Sequence, residues 1–123
     1  MTLVEVKEYL KTVIECDNWY VGKIDKCDQC IGVFLSQSQL SKVSAIGGKR
    51  NKTYDTKCIS LLIRWTDDLN EAEKKALEVY NLLDEKVEDC FFIQIRDSEP
   101  KYIDTDNEGI HEFVINLVIY EFK

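Results

Sequence analysis

Residues 110–122, reading IHEFVINLVIYEF, constrain this chain more than any other stretch. Phe113, Ile115, Leu117 and Ile119 recur at a period of two, the mark of a strand with a buried face. The alternate set, Val114, Asn116, Val118, Tyr120 and Phe122, is apolar apart from one amide. At about 3.4 Å per residue the strand reaches about 40 Å, which is long for a small domain. A strand that is apolar on both faces needs cover on both, and the rest of the chain offers cover for one. That shortage points to a subunit of an assembly.

The 123 residues fit one domain, 1–123. With 45% hydrophobic and 11% aromatic residues they can build a core, which excludes global disorder. The formal charge is −7, from 16 Lys and Arg against 23 Asp and Glu. A balance that acidic argues against nucleic-acid wrapping as the main task, because affinity there comes from neutralising phosphates. Contact with DNA is expected to be incidental at most. The apolar runs fall short of the roughly 20 residues a membrane helix needs, so no membrane partner is expected. Glu5, Lys7 and Glu8 inside the first apolar pattern are unlike a signal peptide. Five cysteines, an odd number, fit free thiols in a reducing compartment.

In chain order, residues 2–15 predict a helix, with Leu3, Val6, Leu10, Val13 and Ile14 on one side and Thr2 with Glu5 as a capping box. Residues 18–24 and 30–36 read as two arms of a hairpin around the polar turn 25–29. Residues 37–57 have no clean period and gather Lys42, Lys49, Arg50, Lys52 and Lys57 against one acid, Asp55. This is a basic loop in an acidic chain, suited to docking on a partner. Strand pattern returns at 58–65, with Ile59, Leu61, Ile63 and Trp65 on one face.

Asn70 is placed to cap a second helix running to about Val87, with Glu73 as its box partner and Glu71–Lys75 as an i,i+4 pair. Residues 90–96 form the next strand, and 97–109 a second long loop. The order is α-β-β-β-α-β-β. This is an α/β (α+β) two-layer sandwich, a mixed sheet of about five strands with two helices on one face. The strand–helix–strand unit from residue 58 to 96 should be a right-handed crossover joining parallel strands. The uncovered face would then show Leu62, Phe92, Asn116, Val118, Tyr120 and Phe122, an apolar centre suited to contact between subunits.

Chemistry is sparse. Cys27 and Cys30 make a CxxC, yet a structural zinc would want a second Cys/His pair, and a redox pair a helix N-terminus. His111 is the sole histidine, and its neighbour Glu112 should point to the opposite face of the strand. Gly47-Gly48-Lys49 lacks the spacing of a phosphate loop, and Asp104, Asp106 and Glu108 do not complete a calcium loop. No catalytic residues, metal site or cofactor are expected.

Trp19 to Ile24, then Cys30-Ile31-Gly32-Val33, Ile46-Gly47-Gly48 with Tyr54, Lys57 to Trp65 and the closing run from Gly109 to Phe122 resemble the minor capsid proteins of siphophages and prophages of Gram-positive bacteria. That group is similar to the wider tail-terminator and tail-completion family of long-tailed phages. The resemblance implies an α/β fold with two helices and a homo-oligomeric ring, typically a hexamer, at the head–tail junction. It implies tail-tube and connector proteins as partners, a place in the virion and in host cytoplasm during assembly, and no catalysis. Two alternatives stand beside it. One is a head–tail connector or head-completion subunit; the other, from a different class, is a small cytosolic CxxC redox or metal-binding protein.

Overall fold

A computed structural model describes residues 2–22, 29–36, 54–105 and 109–122. The elements are α1 (Leu3–Val13), β1 (Asn18–Val21), β2 (Cys30–Leu35), β3 (Tyr54–Arg64), α2 (Leu69–Leu83), β4 (Lys86–Val87), β5 (Phe91–Ile95), β6 (Lys101–Thr105) and β7 (His111–Phe122). Among the described residues, two helices and a mixed sheet of seven strands place the chain in the α+β class. The sheet runs β1-β2-β3-β7-β5-β4, with β6 also on β7. The long C-terminal strand is therefore its axis. β3 pairs antiparallel with β7 from Tyr54↔Phe122 to Arg64↔Glu112. Since β3 takes one whole edge of β7, β5 and β6 share the other, β5 against the far end and β6 against the near end.

Both helices bury their stripes on the same face of this sheet. Val6, Leu10 and Ile14 from α1 and its end, and Ala72, Ala76, Val79 and Leu83 from α2, join Ile59, Leu61 and Ile63 of β3 and Phe113, Ile115, Leu117 and Ile119 of β7 in one core. These are the residues of one parity on each strand, as a period of two requires. The capping box forms: Thr2 Oγ1 accepts from the Glu5 N–H at 3.2 Å, and Glu5 Oε1 accepts from the Thr2 N–H at 3.3 Å.

Four sequence expectations need correction. First, β1 and β2 are parallel, Asn18↔Cys30 through Val21↔Val33, so they are not a hairpin. β2 takes its place from β3, antiparallel over Cys30↔Arg64 to Leu35↔Ile59, and the Gln29 N–H donates to the Trp65 carbonyl at 2.9 Å. Parallel neighbours ordinarily need a crossover of about a dozen residues. Here β1 has only four residues, so the return path is about 13 Å.

Second, α2 starts earlier and stops sooner. The Asp68 side chain accepts from the Asn70 N–H at 3.0 Å, so Asp68 rather than Asn70 is the cap. Thr66 Oγ1 accepts from the Asp68 N–H at 3.2 Å and turns the chain into that position. At the other end Asp84 is extended and Glu85 has φ +55°, which swings the chain into the short strand β4. Third, the expected loop 97–109 contains β6, which together with β4 raises the strand count among the described residues from five to seven. Fourth, Glu71 lies 4.0 Å from Lys74, not against Lys75. The crossover strands β3 and β5 do run parallel, since each is antiparallel to β7, but β7 lies between them.

Lys75 is instead a buried strut, 8% exposed on α2. Its Nζ donates to the Glu15 carbonyl at 2.7 Å, lies 3.4 Å from Glu78 Oε2, and stands 4.7 Å above the Trp65 ring. One ammonium thus ties α2 to the exit of α1 and to the end of β3. Lys75→Met keeps the stem and removes these contacts, and should cost about 1–3 kcal/mol in a urea titration. An unchanged midpoint would mean the strut is ornamental.

Tyr9 makes the corresponding link from α1 to β5. Its hydroxyl donates to Glu88 Oε1 at 2.9 Å, and its ring meets Phe91 edge-on at 4.7 Å. Burial, reinforced by the Glu88 carboxylate, pushes the Tyr9 phenol well above its ordinary range. Because the folded state holds this proton more tightly than the unfolded one, the contribution is whole below the ordinary phenol pKa of about 10 and is lost as pH rises above it. Tyr9→Phe should cost about 0.5–1.5 kcal/mol at neutral pH, and should flatten the loss of stability between neutral and alkaline pH. An equally steep alkaline loss in the variant would count against this assignment.

Candidate interaction surface

The second parity of the strands lies on the face away from the helices. Leu62 stands opposite Val114, Phe92 opposite Tyr120, and Ser60 opposite Asn116. The expected interface residues Leu62, Phe92, Asn116, Val118, Tyr120 and Phe122 therefore share one face. Among the described residues neither helix contributes to it: the stripes of α1 and α2 belong to the core on the other side. Phe92 and Tyr120 stack with centroids 6.1 Å apart and planes 27° off parallel. Phe122 is 48% exposed at the end of β7, and Leu62, Phe92 and Tyr120 are half-buried.

Two of the six differ from expectation. Val118, between Cys58 on β3 and Gln94 on β5, is only 2% exposed. Its side chain is packed within the subunit, so it offers a partner almost no surface. Asn116 is an internal anchor. Its Oδ1 accepts from Ser60 Oγ at 2.6 Å, and its Nδ2 donates to Asp97 Oδ2 at 3.1 Å. Asp97 Oδ1 lies 3.4 Å from Lys101 Nζ, and the Asp97 carbonyl accepts from the Tyr80 hydroxyl at 2.9 Å.

This network joins the break between β5 and β6 to β7 and α2. Asn116→Leu leaves Ser60 and Asp97 without these bonds, and should cost about 1–3 kcal/mol by denaturant titration. Amide exchange should rise first across β6. A variant as stable as the parent, with β6 still protected, would show that the network holds nothing.

Sequence reading passed over Val114 as an interface candidate, although its period-two position marks it, and it is half-buried beside Leu62. Arg64 and Glu112 were not paired by the sequence reading. They face each other across β3 and β7, Arg64 Nε 3.8 Å from Glu112 Oε1, with Arg64 2% exposed. The docking candidates Lys42, Lys49, Arg50 and Lys52 lie outside the described residues, as does Cys27. Cys30 opens β2 and is fully buried, which is not the helix N-terminus that activates a thiol.

Nδ1 of His111 is 3.0 Å from the Tyr102 hydroxyl, joining β6 to β7. Among the described residues no group of three or more His, Cys, Asp or Glu is placed to hold a metal ion. No described helix is long and apolar enough to cross a membrane. An open cleft of about 370 Å³ lies beside Trp65 and Lys75. Its other walls mix Glu15, Glu71 and Glu78 with Lys74, and its central ammonium is already engaged. Compared with known proteins, the chain matches no family model and no curated protein sequence.

Proposed function

We propose that this chain is a non-enzymatic structural subunit of a phage or prophage virion. In this reading it acts as a tail terminator or tail-completion protein, closing into a ring at the head–tail junction. The observation that carries the reading is the sheet face that neither helix covers. There Leu62 lies to one side of the internally committed Asn116 and the Phe92–Tyr120 stack to the other, beyond Val118, with Phe122 at the end of β7. Apolar and aromatic side chains on such a face are the usual anchors of a protein contact.

A ring closes by a heterologous contact, one patch meeting a different patch on the next copy, and the open face supplies one half of it. The acidic balance suits a ring through which DNA passes without adhering, since like charges repel. The resemblance of residues 19–24, 30–33, 46–48, 54, 57–65 and 109–122 to minor capsid proteins points the same way. Partners on this reading are other copies of the chain and the proteins of the tail tube and connector, in the virion and, during assembly, in host cytoplasm.

Electron microscopy of the purified chain mixed with tail tubes tests the role. Rings seated at one end of each tube are expected. Bare tube ends together with rings on isolated connectors would move the assignment to a connector subunit, and an absence of both would overturn it.

A further inference from the structure

We draw no further inference here: the strongest candidate, the open sheet face around Leu62, Phe92 and Tyr120, belongs to the surface already described, and nothing in the structure shows what covers it.

Discussion

Leu117→Ala should lower the stability of the isolated subunit by about 2–5 kcal/mol, measured as a shift in the urea midpoint at unchanged slope. Leu117 is 1% exposed and sits where the sheet is most fully paired, between Ile59 on β3 and Ile95 on β5. Truncation removes three heavy atoms from a site whose neighbours are held in register by two ladders. The cavity therefore collapses little, which favours the upper part of that range. A loss well under 1 kcal/mol would mean that β7 is not the axis of the core.

The double variant Phe92→Glu/Phe122→Glu should leave the subunit folded and abolish its assembly. Phe122 is already exposed, and Phe92 lies towards the edge of the sheet with only the two-residue β4 outside it. Each substitution should therefore cost the monomer little. Buried aromatic anchors contribute about 2 kcal/mol or more apiece to an interface, so losing both weakens association about a thousandfold. The burial of Val118 makes it the wrong place for this test, because a charge there would disrupt the subunit itself. Sedimentation velocity in the presence of tail tubes, with a thermal melt as control, separates the outcomes. Assembly at wild-type affinity by a normally folded variant would remove the open face from the account.

The periodic features were legible because local chemistry decides them. Thr2 and Glu5 cap each other three residues apart, and the alternation in β3, β5 and β7 sorts core from surface without knowledge of strand order. Strand polarity was not legible. Asn18–Val21 looks the same whether it pairs parallel or antiparallel, and the outcome depends on β2 being held by β3. The end of α2 was hidden too, since Glu85 carries a positive φ that sequences usually signal with glycine.

β6 escaped notice because Tyr102 and Ile103 are exposed, and the register of this strand on β7 is irregular between Tyr102 and Asp104. Its residues lack the alternation by which strands are found. The candidate residues were read from parity alone, which places them on one shared face but is silent on their burial. Parity cannot show that Val118 is packed in or that Asn116 is spoken for by Ser60 and Asp97.

The most direct measurement is a cryo-EM reconstruction of the chain assembled on a tail tube, resolved well enough to place side chains. The account predicts that Leu62, Phe92, Tyr120 and Phe122 lie inside the boundary between neighbouring copies and are withdrawn from solvent. A ring whose copies touch only through their helices, with this sheet face turned to water, would contradict it.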